Sequence, residues 1–292
     1  MGELREFYYL DSNLCQSYLK QIEDGLIQYH YEEKIEGEPK HSFEISTKAL
    51  GSLLESTLGI PVPEISYSRD GKDKKIRIEE FKMQDEISQF SRLTRYLEPV
   101  LLSISGEKDR EFWSNIQTNQ FVKFDCSVKL SNLYLFSDFT RRLGQQSLFF
   151  TGDNSKFNEY VKHAEAIDSK KTHRIILKPD FSPDDSRYIF VSDIRKKYLE
   201  EYIELTDLNE DNFTVIGKVD KILKSSEKEI IFDLTETGIL DVMRSKEIKD
   251  FLKKYNSMIK KDRKMSKLLA SEQDIYVVKP AIIVRIIAMY KS

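Results

Sequence analysis

An apolar strand near each end of the chain is the feature that most constrains the fold. The chain has 292 residues, and Phe7–Leu10 runs directly into the helix-capping residues Asp11 and Ser12. Near the other end, Ala281–Tyr290 is the most apolar run in the sequence. Chain termini are usually polar and poorly ordered. We therefore expect both ends to be built into the fold, with the last strand closing it.

Hydrophobic periodicity predicts helices and strands in both halves of the chain. We expect helices over 12–25 (ending at Gly25), 47–58, 84–102, 107–116, 133–143, 155–167, 194–205 and 239–258. Pro99 should bend the helix over 84–102 or end it early, because proline lacks an amide donor. We expect strands over 6–10, 27–34, 75–81, 121–130, 174–178, 187–192, 213–223, 229–234 and 276–290. These elements do not alternate as regular βαβ units, so the sequence predicts an α+β fold and not a doubly wound parallel sheet.

A change in composition near residue 118 is the best candidate for a domain boundary. Residues 1–118 mix helices and strands, whereas residues 119–292 are richer in strands. No run of Gly, Ser or Pro marks a linker between them. We predict a mixed N-terminal module over 1–118 and a larger β-rich module over 119–292, closed by the C-terminal strand.

The residues that most often bind metals or act as nucleophiles lack the spacing that such sites require. The histidines are His30, His41, His163 and His173, and the cysteines are Cys15 and Cys126. No pair of histidines has zinc-hydrolase spacing, and two cysteines are too few for a disulfide framework or a four-thiolate site. The sequence also lacks a glycine-rich phosphate loop and a Gly-x-Ser-x-Gly elbow. We expect no cofactor, no bound metal and no enzymatic activity.

One fragment resembles the metal-binding part of a nuclease. Glu80 and Lys82 form a Glu-x-Lys pattern on a predicted strand, preceded by Asp70 and Asp73. Carboxylates followed by a lysine can hold Mg²⁺ and position a water. The same pattern arises often by chance in a chain that is 33% charged. We therefore keep a Mg²⁺-dependent nuclease as an alternative and not as the leading function.

The strongest electrostatic feature is a basic segment over residues 253–267, which contains seven basic residues and one acidic residue. Its cations are Lys253, Lys254, Lys260, Lys261, Arg263, Lys264 and Lys267. The whole chain has a net charge of -3, so any affinity for anions must come from such a local patch. An acidic block over residues 200–211, in the same half of the chain, carries the opposite charge. The two blocks predict contact with an acidic protein or a nucleic acid, pairing within the chain, or contact between copies.

The N-terminal residues lack the basic and apolar regions of a signal peptide. No apolar run approaches the roughly 18 residues that a membrane-spanning helix requires. The sequence therefore predicts a cytoplasmic protein without a membrane span.

Several stretches resemble an uncharacterised bacterial family that is catalogued as a domain of unknown function. That family begins with a strand ending in Tyr-Leu-Asp, like Arg5–Asp11, and with a helix ending in Gln-Ile-Glu-x-Gly, like Ser17–Leu26. Gln120–Phe124, Phe213–Val219 and Pro280–Tyr290 are similar in kind, although the family's terminal Pro-Ile-Ala-Ile-Tyr has Ile286 in place of the proline here. The resemblance implies a cytosolic prokaryotic or phage protein, associated with mobile or antiviral defence loci, and implies no catalytic residues.

The leading hypothesis is a non-enzymatic protein-interaction module, with a protein partner bound through the basic segment. The alternatives are a nucleic-acid-binding or Mg²⁺-dependent nuclease effector, and a sensor of a small ligand such as a nucleotide. The many Tyr and Phe side chains, 32 in all, would line the pocket of such a sensor.

Overall fold

The structure is a computed structural model. It describes residues 5–33, 42–59, 75–79, 86–104, 116–146, 155–180, 189–223, 228–231, 245–260, 263–278 and 281–291. None of the helices in these stretches combines the length and the hydrophobicity that crossing a bilayer requires.

The described residues combine α-helices with a large mixed sheet. The helices are α1 (Ser12–Glu33), α2 (Thr47–Leu58), α3 (Glu86–Leu97), α4 (Asn132–Gln146), α5 (Ser155–Asp168) and α6 (Ser245–Ile259). Short 3-10 helices cover Lys196–Tyr198, Leu205–Leu208, Arg263–Leu268 and Glu272–Asp274. The strands are β1 (Glu6–Leu10), β2 (Ser42–Ser46), β3 (Lys75–Glu79), β4 (Leu101–Ile104), β5 (Phe121–Lys129), β6 (Thr172–Pro179), β7 (Ile189–Arg195), β8 (Asn212–Ile222), β9 (Lys228–Ile230), β10 (Tyr276–Val278) and β11 (Ala281–Lys291).

The pairing of the strands confirms the predicted α+β class. The large sheet has the order β1-β11-β7-β6-β5-β4, and β8 pairs with both β11 and β5. The strands β5, β6, β7, β11 and β8 therefore form a closed five-stranded barrel. Both orientations occur, since β11 runs parallel to β7 and β4 parallel to β5, whereas β6 and β7 are antiparallel. Two further pairs, β2 with β3 and β9 with β10, are separate.

Residues group into two compact units, each discontinuous in sequence. The first unit contains Met1–Cys126, Phe213–Ile222 and Val284–Ser292, and the second contains Ser127–Asn212 and Leu223–Ile283. The modules predicted over 1–118 and 119–292 stay a prediction, because compactness does not test whether either part folds alone.

The core of the first unit explains why both chain ends are apolar. Strand β1 pairs antiparallel with the end of β11, with Phe7 opposite Tyr290 and Leu10 opposite Ala288. Within β11, Val284 and Ile286–Tyr290 are all buried. Helices α1, α2 and α3 add buried residues to the same core, among them Cys15, Leu50 and Phe90. Cys15 and Cys126 are free and buried, and burial raises the pKa of the Cys15 thiol to about 12, so the thiol is unreactive at neutral pH.

Helix α1 continues past the end that the sequence predicted. Asp11 caps it as expected, since Asp11 Oδ1 accepts a hydrogen bond of 3.0 Å from the amide of Leu14. The helix then runs to Glu33, so the predicted stop at Gly25 and the predicted strand over 27–34 were wrong. A glycine inside a helix costs only about 1 kcal/mol. The packing of α1 against α2 and α3 stabilises the helix by more than that.

Two other predicted helices were also wrong in part. The helix predicted over 84–102 ends early, at Leu97, as expected from Pro99. The strand that follows was not expected: Leu101–Ile104 pairs with β5. The helix predicted over 194–205 is replaced by the end of β7 and a 3-10 turn. There His173 and Thr172 of β6 pair with Ile194 and Arg195, so the neighbouring strand keeps these residues extended. Of the helix predicted over 107–116, residues 107–115 lie outside the described residues, and Ile116 is not helical.

Candidate functional site

Helices α4, α5 and α6 of the second unit enclose an apolar groove of about 750 Å³. Each helix contributes side chains spaced three or four residues apart, which lie on one helix face. Examples are Phe136 and Leu143 from α4, Ala164 and Ile167 from α5, and Phe251 and Ile259 from α6. A volume of this size lies within the range of sites that bind small molecules or anchoring side chains of a partner.

The groove contains most of the large apolar side chains that are exposed among the described residues. Among the described residues, five large hydrophobic side chains are exposed, and three of them line this groove. These are Phe139 (37% exposed), Tyr160 (57%) and Met258 (42%). Single exposed apolar residues are ordinary, but a cluster of them at a concave site marks an interaction surface.

A buried hydroxyl without a hydrogen-bond partner lies among these apolar side chains. Ser137 lines the groove and is 8% exposed, and its Oγ has no hydrogen-bond partner. On the same helix, Thr140 Oγ1 donates a bond of 2.9 Å to the carbonyl of Phe136, which is the usual arrangement. An unsatisfied buried hydroxyl costs about 1–3 kcal/mol. A bound molecule with an acceptor at this position would remove that cost.

Helix α6 is held in place by polar contacts with the segment that follows it. The Tyr255 hydroxyl donates a hydrogen bond of 2.9 Å to the carbonyl of Leu268. Asn256 exchanges two bonds with Ala270, of 2.7 Å and 2.9 Å. Burial, followed by the charge of Asp274, raises the pKa of Tyr255 above its usual range, so the hydroxyl remains a donor. The wall that α6 forms is therefore attached to the following segment at Leu268 and Ala270.

The first turn of α4 is fixed to the same segment through the buried Asp274. Asp274 Oδ1 accepts a bond of 2.8 Å from the amide of Asn132, and Ser131 Oγ donates a bond of 2.8 Å to the Asp274 carbonyl. A carboxylate at a helix N-terminus is favourable because the free amides there carry partial positive charge. Two of the three walls of the groove are thus connected through one short segment.

The predicted basic segment borders this groove. Lys253 and Lys254 of α6, and Lys260 and Lys267 beyond it, are exposed. Lys254 lines the groove together with Met258. Lys261 lies outside the described residues, as do the side chains of Arg263 and Lys264. Among the side chains that the structure describes, these four lysines take part in no ion pair. The positive charge at the groove is therefore available to a partner.

The acidic block over 200–211 makes contacts elsewhere. Glu204 Oε2 accepts a bond of 2.6 Å from Arg142, and Asp207 Oδ2 accepts one of 2.8 Å from the Glu204 amide. Arg142 also pairs with Asp138 at 2.7 Å. The acidic block therefore does not pair with the four described lysines. Such pairing was one of the arrangements that the sequence allowed.

A second, smaller cavity of about 240 Å³ lies beside His173 and Tyr134. Burial, reinforced by the charge of Lys196, lowers the pKa of His173 from 6.5 to about 4, so the imidazole is neutral at physiological pH. Its Nε2 donates to the carbonyl of Lys170 at 3.1 Å, and its ring packs edge-on against Tyr134 with centroids 5.0 Å apart. Burial alone would raise the pKa of Asp168, but the hydrogen bond and charge of Lys196 lower it. The cavity wall is a satisfied polar network, as expected of a structural element.

The nuclease-like fragment cannot be placed, because Asp70, Asp73, Glu80 and Lys82 all lie outside the described residues. Within the described stretches, no three His, Cys, Asp or Glu side chains are grouped so that they could hold a metal ion.

Nothing in the sequence indicated that residues of α4 and α5 line a groove. Their apolar spacing did predict two helices, over 133–143 and 155–167, close to the observed α4 and α5. Ser137, Phe139 and Tyr160 carried no signal beyond that spacing, because an exposed aromatic residue in a helix is common. Which face of each helix is covered depends on neighbours that are distant in sequence.

The family comparison covers nearly the whole chain. The model of DUF6414, a domain of unknown function, matches residues 4–290. This confirms the predicted resemblance to a domain of unknown function that reaches both ends of the chain. No curated protein and no solved structure gives a significant match.

Proposed function

We propose that this chain, which belongs to the DUF6414 family, is a non-enzymatic interaction protein that binds another protein through its groove surface. The groove surface comprises the apolar groove between α4, α5 and α6 and the four exposed lysines Lys253, Lys254, Lys260 and Lys267. One observation carries the proposal: unpaired positive charge borders an exposed apolar groove. Protein interfaces commonly join an apolar centre to a charged rim in this way.

The apolar character of the groove favours a protein over a nucleic acid. Interfaces with nucleic acids are more polar and more strongly positive than interfaces between proteins, because phosphates dominate the contact. Here Phe139, Tyr160 and Met258 line the groove and are exposed, and the chain as a whole has a net charge of -3. The same apolar lining disfavours a nucleotide, whose phosphates need several donors converging on one point.

The size of the apolar contribution supports specific binding. Full burial of a large apolar side chain contributes about 1.5–3 kcal/mol. Because Phe139, Tyr160 and Met258 are only 37%, 57% and 42% exposed, burying what remains of the three would contribute about 2–4 kcal/mol in total. This offsets part of the entropy lost on association, which costs at least about 4 kcal/mol. The lysines would accelerate encounter with an acidic partner and make the affinity fall as salt rises.

Affinity purification from the native host, followed by quantitative mass spectrometry, tests this proposal. The first variant is the double charge reversal Lys253→Glu/Lys254→Glu, and the second is Met258→Glu. The matched control reverses Lys20 and Lys171, which are equally exposed but do not line the groove. We expect a partner to be recovered with the wild type and the control, and to be lost with both groove variants. Equal recovery with all four proteins would overturn the proposal.

The prokaryotic or phage setting, with a role in phage–host conflict, remains part of the proposal and depends on the resemblance alone. Nucleic-acid binding is the runner-up and rests on the charge of the basic segment. It would replace the leading proposal if the purified material contained DNA or RNA that was lost with Lys253→Glu/Lys254→Glu and retained with Met258→Glu.

A further inference from the structure

We infer that the groove takes an amphipathic α-helix of the partner, with apolar residues on one face and Asp or Glu on the other. This inference rests on the proposed protein-binding function and names the kind of segment that is bound. A helix laid in an apolar groove is a common recognition mode, in which residues at i, i+3, i+4 and i+7 act as anchors.

The length of the groove matches such a helix. Leu133 and Leu143 both line it and lie at opposite ends of one face of α4. With a rise of about 1.5 Å per residue, they are about 15 Å apart along the helix axis, or nearly three helical turns. On α6, the lining residues extend from Phe251 to Ile259, about 12 Å. A bound helix of three turns would place one anchor per turn along this length.

The walls are adaptable where a helix would contact them. Met258 and Met265 line the groove, and methionine side chains adjust to irregular surfaces better than branched ones. Tyr160 and Phe139 supply aromatic surface at the edges. Apolar anchors can therefore be seated without rearrangement of the helix backbones, which the contacts of Tyr255 and Asn256 hold in place.

The distribution of charge gives the bound helix an orientation about its axis. Lys254 lines the groove on the α6 side, with Lys253 beside it, and neither forms an ion pair in the described structure. Acidic residues of the bound helix are therefore attracted to the α6 edge of the groove.

Ser137 favours a bound helix that carries a hydrogen-bond acceptor among its apolar anchors. Its Oγ is buried without a hydrogen-bond partner. An Asn or Gln among the apolar anchors of the bound helix would accept a hydrogen bond from this hydroxyl through its side-chain carbonyl. Removing the cost of a buried unpaired hydroxyl favours this residue over leucine, and so fixes the register of the helix.

Fluorescence anisotropy with designed peptides and the full-length chain tests the inference. The probe is a labelled peptide of about 18 residues, five helical turns, with Leu at the anchor positions, one central Asn and Glu on the polar face. Its controls replace every Glu with Lys, or scramble the order of the acidic peptide. We expect saturable binding of the acidic peptide that weakens as salt rises, about tenfold weaker binding of the basic peptide, and no binding of the scrambled one.

Variants of the chain test each contact separately. Lys253→Glu/Lys254→Glu should reverse the preference to the basic peptide, whereas Lys20→Glu/Lys171→Glu should leave it unchanged. A further peptide with Leu in place of the central Asn should bind the wild type more weakly, and Ser137→Ala should abolish that difference without preventing binding. Circular dichroism of each variant verifies that the fold is retained.

Other occupants would produce different results. Tight binding of a fatty acid such as dodecanoate, with no binding of any peptide, would overturn the inference in favour of a small amphiphile. Binding of a DNA or RNA oligonucleotide in competition with the acidic peptide would overturn it in favour of nucleic acid. If recovery of the native partner depends on the groove surface but no peptide binds, the helix is wrong and the proposed function stands. If the peptide binds but partner recovery is unaffected by groove variants, the proposed function is wrong.

Discussion

Replacing Gly144 with alanine tests how closely α4 and α5 pack beside the groove. A Cβ at Gly144 would lie 2.5 Å from Cγ1 and 2.6 Å from Cγ2 of Val161. Valine in a helix has one strongly preferred rotamer, so it cannot easily rotate away. Overpacking costs about 1–3 kcal/mol, whereas replacing glycine by alanine inside a helix gains about 1 kcal/mol. We therefore expect Gly144→Ala to lower the free energy of unfolding by up to about 2 kcal/mol.

A double-mutant cycle isolates this contact. Val161→Ala removes both methyl groups and leaves only the Cβ of residue 161, 3.1 Å from the new Cβ. Gly144→Ala in that background should therefore be close to neutral or stabilise the protein by up to about 1 kcal/mol. Urea unfolding of the four proteins, monitored by circular dichroism, gives a coupling energy that we expect to be about 1–3 kcal/mol. Stabilisation by Gly144→Ala to the same extent in both backgrounds would refute the close packing of the two helices.

Three further predictions follow from other parts of the chain. Deleting residues 281–292 should give insoluble protein, because β11 buries Ile282, Val284 and Ile286; a soluble product with an unchanged Tm would contradict this. The pKa of His173 falls from 6.5 to about 4 on folding. The contribution of the neutral His173 side chain to the free energy of unfolding is therefore complete above pH 6.5 and is lost as pH falls toward 4. This loss is about 3 kcal/mol. In His173→Gln, the free energy of unfolding measured in urea should change less between pH 6.5 and 4. An unchanged dependence on pH would contradict this assignment to His173. The protein should not cut DNA or RNA with Mg²⁺; cleavage that EDTA and Glu80→Ala both abolish would overturn the ranking of functions.

Much of the fold follows from local patterns, and the rest depends on pairing. The strand β1, the cap at Asp11 and helix α2 were predicted correctly because each has a clear periodicity and a clear boundary. The course of the chain after Gly25 was missed because the cost of one glycine is small beside the packing of α1. Residues 194–195 were missed because their extended conformation comes from pairing with β6.

The candidate site was likewise predictable from the sequence only in part. The basic segment is visible in the sequence because its charge lies in one run. The groove is not, because its walls come from three helices, two of them well separated from α6 in the chain. The unpaired hydroxyl of Ser137 is also invisible, since its environment exists only after the helices have assembled. Local composition thus indicated where positive charge is concentrated, but not the apolar surface beside it.

Site-specific photo-crosslinking in the native host tests most directly whether the groove surface binds a partner. A photoreactive phenylalanine analogue replaces Tyr160 at the groove in one protein. It replaces Tyr202, which is 91% exposed and does not line the groove, in the other. We predict a discrete cross-linked protein from position 160 that is lost when Lys253→Glu/Lys254→Glu is added, and none from position 202. Identical cross-links from both positions, or cross-links from position 202 alone, would contradict the proposed function.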